Sequence, residues 1–377
     1  MNIGIDGRVL DKGITGTGRC LENLLKEIPK IDNINQYYIF SNKNLDINKN
    51  FYNHIISKAP PLPSKFYSYF WLHWTLPKLL RLYKIDVLFS PNILLPTIKK
   101  GEIKCISVIH DVFPFTLKEY YSKSYRYYLS IFLPKTLRKA DKIITSSEYS
   151  KKEISRIFKI PQNKIEVIFS CVPNTFIQKM NNGNKTPKSF IDLNQSKKYL
   201  LYVGAIEKRK NLFGLIKIFD QLKENGSDLD LIIVGKPGYG YNEIAKEIKK
   251  RENNIKCLNF VDDELLYFLY KNAFAFLFPS YYEGFGIPPL EAMQLGIPVL
   301  SSNTSSLLEV VGKGGLLHNP NDYSGFVNDI LRLEKDNNFY YSMKEKAIIQ
   351  AEKFNLQNEA QKLLNIFNAF DPKRLKK

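Results

Sequence analysis

The run Phe278–Gly296, FPSYYEGFGIPPLEAMQLG, sets two carboxylates, Glu283 and Glu291, on either side of a glycine-rich turn and a pair of prolines. Gly284 and Gly286 let the backbone bend and come close to a ligand. Pro288 and Pro289 suit the first turn of a helix, where amides have no intrahelical partner. A helix start offers free N–H groups and a partial positive charge, which is the chemistry a diphosphate needs. Glu283 precedes the turn and Glu291 lies about one turn inside the helix, so the two flank a ligand rather than pair on one helix face. Taken singly, each has a plainer reading: a solvated loop carboxylate, and a helix N-terminal Glu favoured by the dipole.

These residues need a frame. Phe274–Phe278 is a short apolar, aromatic run that reads as a buried strand, and Leu290–Leu295 reads as a helix, so the motif is strand, loop, helix. The same unit opens the chain. Asn2–Asp6 has a strand pattern, the glycine-rich stretch Gly13–Arg19 follows, and an amphipathic helix is expected from about Cys20 to Glu27. Position 21 is Leu, so Gly16-Thr17-Gly18 lacks the third glycine of a dinucleotide fingerprint and is weak evidence alone.

Further strands are expected at Tyr37–Phe40, Asp86–Phe89, Lys104–Ile109, Lys142–Thr145 and Ile165–Ile168, with helical stretches between several of them. Such alternation implies a parallel sheet covered by helices, whose ligands gather at the carboxyl ends of the strands. His110 stands at one such end; it reads as a ligand-facing group or as a structural His bonded near a strand terminus. The polar stretch Lys179–Lys198 reads as a linker, after which the alternation restarts with Tyr199–Val203, a loop to Asn211, a helix through Leu222, and strands at Leu229–Val234 and Val299–Ser302. The expected organisation is an α/β chain with a Rossmann-like domain at 1–178, a linker at 179–198, a second Rossmann-like domain at 199–353 and a terminal helical stretch at 354–377.

At 377 residues the chain has room for two cores, and with 44% hydrophobic residues it is not a disordered protein. No stretch has the roughly 18 unbroken apolar residues of a membrane span, and MNIGIDGRVL lacks the pattern of a signal peptide, so a cytoplasmic chain is expected. Cys20, Cys105, Cys171 and Cys257 are scattered without metal or disulfide spacing, and no pair among the four histidines has ligand spacing. Asp228-Leu229-Asp230 fits the DxD pattern of metal-dependent sugar transferases, but it enters a strand, whereas ligands collect where strands end. No metal and no cofactor are expected.

The formal net charge of +18 admits three readings: nucleic acid, an anionic membrane surface, or phosphates on nucleotides and lipids. Ser64–Lys84 carries Lys65, Lys78, Arg81 and Lys84 and no acid. Leu117–Ala140 sets six basic residues against Glu119. Basic faces beside Trp, Tyr and Phe suit a membrane interface, and equally suit ordinary helices with an aromatic core stripe and a solvated basic face.

Glu283-Gly284-Phe285-Gly286, then Pro288, Glu291-Ala292 and Gly296-Ile297-Pro298-Val299, resembles the signature of the retaining GT-B glycosyltransferases of family 4, a group of bacterial cell-surface sugar transferases. Matching stretches run from the N-terminal loop to about residue 320. The resemblance implies a GT-B fold, two Rossmann-like domains facing a central cleft, and transfer of a hexose from a nucleotide-diphosphate sugar to a growing glycan or lipid-linked saccharide. It implies that Gly16, Thr17 and Arg19 lie over donor phosphates and acceptor, and that His110 in VIHDVFP reaches the donor sugar, with Asp111 supporting the loop. Arg209 and Lys210 would meet the diphosphate, where two charges need neutralising at close range. Gly235 would wall the base pocket, and Val261 and Leu265 would contact the base through backbone groups. Gly284, Phe285, Gly286 and Ile287 would meet the diphosphate or sugar, Glu283 the sugar hydroxyls and Glu291 the ribose. His110, Glu283 and Lys210 are thus the expected catalytic group.

The sequence departs from the family at Ala205, where an Arg is common, and at Ser170–Asn174, where an Asn-Gly-Val-Asp-like segment is usual. The expected partners are a GDP- or UDP-hexose, with mannose favoured by the bacterial mannosyltransferase-like segments, and a saccharide or polyprenyl-diphosphate-linked acceptor. Peripheral contact with an anionic membrane at the inner face of the plasma membrane is also implied, and no nucleic acid. Two other readings stay open: a UDP-hexose transferase of the same family, and a catalytically inactive basic protein that uses the same body to hold lipid or nucleic acid. A GT-B phosphorylase would need a cofactor lysine that the sequence does not reveal.

Overall fold

The computed structural model describes residues 1–12, 16–57, 68–99, 101–120, 123–172 and 198–371. The expected linker, all but Lys198, and the glycine-rich residues 13–15 lie outside them, as do 64–67 of the first aromatic-basic segment. The chain divides into two units: Met1–Phe115 with Ser122–Cys171 and Asn355–Lys377, and Thr116–Tyr121 with Val172–Phe354.

The first unit is built on a seven-stranded sheet: β1 (Asn2–Asp6), β2 (Gln36–Ser41), β3 (Tyr52–Ile56), β4 (Val87–Ser90), β5 (Lys104–Val108), β6 (Lys142–Thr145) and β7 (Ile165–Val167). Their order is β3-β2-β1-β4-β5-β6-β7, and every pairing is parallel. Strands buried on both faces must be apolar almost throughout, and the twofold alternation of side chains then divides one strand between two cores. Val87 and Phe89 join Ile3, Ile5, Leu21, Leu25 and Ile28 on one face. Leu88 joins Trp71, Leu76, Leu80 and Leu137 on the other. The helix Leu356–Asn368, far away in sequence, completes the first layer through Leu363 and Phe367.

The first long helix spans Gly16–Ile31 rather than starting at Cys20, so Gly16, Thr17, Gly18 and Arg19 form its first turn instead of a loop. A Cβ on Gly16 would meet nothing within 4 Å, so space does not demand glycine there.

The second unit holds β8 (Tyr199–Val203), β9 (Asp230–Val234), β10 (Ile255–Leu258), β11 (Ala275–Phe278), β12 (Val299–Ser302) and β13 (Leu316–His318), in the order β10-β9-β8-β11-β12-β13. All pairings are again parallel, so both units have the doubly wound, Rossmann-like arrangement. Three strands escape the sequence reading, β3, β10 and β13, and each lies at a sheet edge. Edge strands are buried less completely, so polar residues such as Asn53, His54 and Lys256 interrupt the apolar pattern that betrays central strands.

Candidate functional site

In the second unit the site residues stand where strands end. After β8 the chain makes a single 3-10 turn, Lys208–Lys210, and then passes through Asn211 in the left-handed region at φ 56°. Asn211 caps the following helix, Leu212–Glu224, by accepting from the Gly214 amide at 3.1 Å, and its Nδ2 donates to the Pro320 carbonyl at 2.8 Å. A side-chain cap at the helix start thereby fixes the turn that carries Arg209 and Lys210.

After β11 comes the loop to the helix Ile287–Gln294. Gly286 precedes this helix at φ 118°, a conformation that favours glycine, and a Cβ there would press on the tip of the Leu307 side chain at 2.9 Å. Two serines of the loop after β12 hold the turn from behind. The Glu283 amide donates to Ser305 Oγ at 2.9 Å, and Ser306 Oγ donates to the carbonyls of Glu283 and Phe285 at 2.9 and 2.7 Å.

The two loops meet through charge. Lys210 Nζ donates to both Glu283 oxygens, at 2.6 and 2.7 Å, with both residues buried. Arg209 Nη1 donates to the Tyr282 carbonyl at 2.5 Å and lies 3.4 Å from Glu283 Oε2, while its Nη2 donates to Glu207 at 2.6 Å. Two cations and two carboxylates thus form one network at the carboxyl ends of neighbouring strands β8 and β11. Burial acts to push the Glu283 carboxyl up, but Lys210 and Arg209 outweigh it and hold the group below the usual carboxylate range. Burial lowers the Lys210 ammonium, against the pull of Glu283.

Glu291, also buried, accepts from the Tyr270 hydroxyl at 2.8 Å. Tyr270 ties it to the helix Asp263–Lys271, whose cap Asp262 accepts from the Leu265 amide at 2.8 Å. The Leu265 amide therefore already has a partner within its own helix, and Val261 is half-buried just before the cap. Gly235 has a packing reason of its own: a Cβ there would fall 1.7 Å from the Gly204 carbonyl, so the turns after β8 and β9 can touch only if that residue is glycine. Gly284 and Ile287 are half-buried, and Phe285 is buried edge-on against Phe354 at 5.6 Å.

In the first unit, His110 follows β5. Its carbonyl accepts from Thr145 and Ser146 at 3.3 and 3.0 Å, while its Nε2 is buried without a hydrogen-bond partner among the described residues. Burial lowers the imidazole to about 4. His110 and Thr17 line one cavity of about 30 Å³, together with Cys20, Ser146 and Ser170, which is room for a water. Gly16 is exposed beside it in sequence. A second charged cluster at the carboxyl end of β1 was not foreseen. Buried Asp6 accepts from Arg8 Nε and Nη2 at 2.9 and 2.6 Å and from Asn92 at 2.9 Å, and the guanidinium lies 4.5 Å from the Trp71 ring centre. An acid at the last position of a strand, two residues before an Arg, was the available signal.

The structure thus gathers Arg209, Lys210 and Glu283 in direct contact, with Gly284–Ile287 and Glu291 continuing the same loop and helix. Glu207, Tyr270, Ser305 and Ser306 support these residues, in roles that the sequence reading does not give them. Among the described residues no group of three His, Cys, Asp or Glu side chains could hold a metal.

Similarity to known proteins agrees with this architecture. The family model of glycosyltransferase family 4 matches residues 14–175, and that of glycosyl transferases group 1 matches residues 185–350. The O-antigen chain mannosyltransferase B of Escherichia coli is 32% identical over 296 residues, 76% of this chain and 75% of its own. The O-antigen chain mannosyltransferase RfbU of Salmonella typhimurium is 28% identical over 284 residues, 74% of this chain and 72% of its own. Among solved structures, Anabaena Alr3699/HepE in complex with UDP and glucose shares the fold, with a TM-score of 0.71 at 18% identity over 97% of this chain and 99% of that one. From its two parallel sheets, its paired family models and these relatives, the chain belongs to glycosyltransferase family 4 and is a GT-B glycosyltransferase.

Proposed function

We propose that the protein transfers mannose from GDP-mannose, with retention of anomeric configuration, to a growing cell-surface glycan or a lipid-linked saccharide. The observation that carries the reading is the Arg209–Lys210–Glu283 network, with Lys210 and Glu283 buried, and the mannosyltransferase names of two relatives favour the sugar. Arg209 and Lys210 meet the donor diphosphate and stabilise the charge that grows as it leaves. Preorganised cations of this kind, needing no reorientation during reaction, can contribute several kcal/mol. Glu283 fixes both cations before the donor arrives and contacts the sugar hydroxyls. Amides of Gly284, Phe285, Gly286 and Ile287 serve the diphosphate or sugar, because a helix start favours anions. Glu291, oriented by Tyr270, takes the ribose hydroxyls. Gly235, Val261 and Leu265 line the base. His110 approaches the sugar as a neutral donor or acceptor, and Gly16 and Thr17 approach the phosphates. A transfer of this type needs no bound metal, since the cations do the neutralising.

A UDP-hexose is the second donor, favoured by the UDP in the HepE structure. The acceptor side includes peripheral contact with an anionic membrane at its cytoplasmic face. No helix among the described residues is long and apolar enough to cross a membrane, whereas Tyr69, Phe70, Trp74, Tyr127 and Tyr128 are exposed beside Lys78, Arg81, Lys123, Arg126 and Lys135. Aromatic rings beside long basic side chains suit the headgroup layer.

Incubation with radiolabelled GDP-mannose, UDP-glucose and UDP-galactose, each with short mannose-terminated lipid-linked acceptors, tests the reading. Label should move to the acceptor from GDP-mannose with the α-linkage of the donor; transfer from a UDP-sugar alone would overturn the mannose assignment.

A further inference from the structure

At the amino ends of β5 and β6, the opposite end of the sheet from His110, lies a cavity of about 250 Å³ whose walls include Lys99, Arg138, Lys139 and Lys164 against the single carboxylate of Asp141. From Cys105 to His110 the strand and its extension span roughly 17 Å, at about 3.3 Å per residue. Asp141 is already engaged, accepting from Lys104 Nζ at 3.1 Å and from the Cys105 amide at 2.9 Å. Two of the ammonium groups are held in place by carbonyls. Lys139 Nζ donates to Pro96 at 2.5 Å, and Lys164 Nζ donates to Leu137 and Arg138 at 2.9 and 3.1 Å. A bond to a carbonyl fixes position without cancelling charge, and an ammonium such as that of Lys139 has three donors to give. Lys99, Arg138 and Lys139 have no acid within ion-pair distance among the described residues, the nearby Glu102 being bound by Arg81.

The space is many times the roughly 15 Å³ that one water occupies by this measure, and so admits a polyatomic anion. A cavity lined by four cations, two of them held by carbonyls, and by apolar Ile98, Ile103 and Cys105 concentrates an opposite charge. Its rim leads to the exposed aromatic residues: Thr97 bonds His73 at 2.7 Å, and His73 packs against Tyr69 at 4.3 Å between ring centres.

We propose that this cavity is a phosphate site, which takes the phosphate or diphosphate group of an anion free in solution or carried on a lipid headgroup. Arg138 and Lys99 close over the anion from the exposed side, and Lys139 and Lys164 meet it from within. The site is built from the first unit alone, whereas the Lys210 network belongs to the second, and the proposal does not depend on the transfer reaction.

The test uses the full chain with Lys210→Ala, which weakens diphosphate binding in the second unit. Inorganic diphosphate is titrated calorimetrically, and phosphatidylcholine vesicles with and without phosphatidic acid are floated with the protein. Both are repeated after Lys99→Glu with Arg138→Glu, two exposed side chains, and after a matched reversal outside the cavity, Lys49→Glu with Lys152→Glu. The proposal expects the cavity pair to weaken binding at least tenfold and the matched pair to leave it near the starting value. Loss confined to diphosphate identifies a free anion as the ligand, and loss on phosphatidic acid vesicles identifies a headgroup. Equal effects of both pairs, or no effect of the cavity pair on either probe, would overturn it.

Discussion

Replacing Lys210 by Met removes the ammonium while keeping much of the side-chain volume, and it leaves the buried Glu283 carboxylate with Arg209, at 3.4 Å, as its remaining cation. Breaking a buried ion pair by removing one partner costs about 3–5 kcal/mol. Since Arg209 still faces Glu283, the lower end, about 3 kcal/mol, is expected. Glu283→Gln in the same chain relieves the stranded charge, so the double variant Lys210→Met Glu283→Gln should regain at least about 1 kcal/mol over Lys210→Met, within the range of coupling energies between contacting residues. Turnover should behave differently. Loss of one preorganised electrostatic group costs about 10²–10³ in rate, and restoring stability does not restore the charge that meets the leaving diphosphate. Urea unfolding monitored by circular dichroism gives the stabilities, and radiolabelled sugar transfer at saturating donor gives the turnover. If the double variant is no more stable than Lys210→Met, the pair is not coupled as its geometry demands. If Lys210→Met turns over within tenfold of the wild type, the role assigned to Lys210 fails.

Three further outcomes follow from the same geometry. Glu291→Ala should weaken nucleotide binding about tenfold, one lost bidentate hydroxyl contact being comparable to about 1.4 kcal/mol, with a smaller fall in turnover at saturating donor; unchanged affinity by calorimetry would remove Glu291 from the ribose site. Because burial holds His110 near 4, below the ordinary value of about 6.5, the unfolded chain binds the extra proton first, and stability contributed at this residue is full above pH 6.5 and is lost as pH falls towards 4. His110→Gln should flatten that part of the stability profile between pH 6.5 and 4, and an identical profile in the variant would refute the burial argument. Transfer should continue at its original rate after dialysis against EDTA; a loss restored by a divalent cation would contradict neutralisation by Arg209 and Lys210.

Much of this site was legible because its parts are local. Glycines, prolines and an acid within a few residues announce a strand, a loop and a helix, and Gly286 at φ 118° has the conformation that its residue type suggests. What links distant loops leaves no such trace. Lys210 and Glu283 were each singled out, but their direct bonding across 73 positions follows from β8 and β11 being neighbours in the sheet, which neither loop records. The same holds for Tyr270 beneath Glu291, and for Ser305 and Ser306 behind the Glu283 turn. Gly235, which the resemblance places at the wall of the base pocket, has a packing reason of its own in the Gly204 carbonyl, and no sequence pattern records that contact. In the first unit, Gly16 and Thr17 read as loop because glycine is a poor helix former, yet tertiary burial of Leu21, Leu25 and Ile28 carries the helix back to Gly16.

The central claim is that Arg209 and Lys210, in the turn after β8 and held by Glu283 after the neighbouring β11, grip a nucleotide diphosphate. Its most direct test is a thermal-shift panel of GDP, UDP, ADP and their sugars on the wild type and on Lys210→Ala. Free ligand at about a hundred times its dissociation constant stabilises a binding protein by about 2.7 kcal/mol, which is readily seen. The account predicts a shift selective for the guanine nucleotides that disappears in Lys210→Ala. Stabilisation that persists undiminished in the variant, or none with any nucleotide in the wild type, would contradict it.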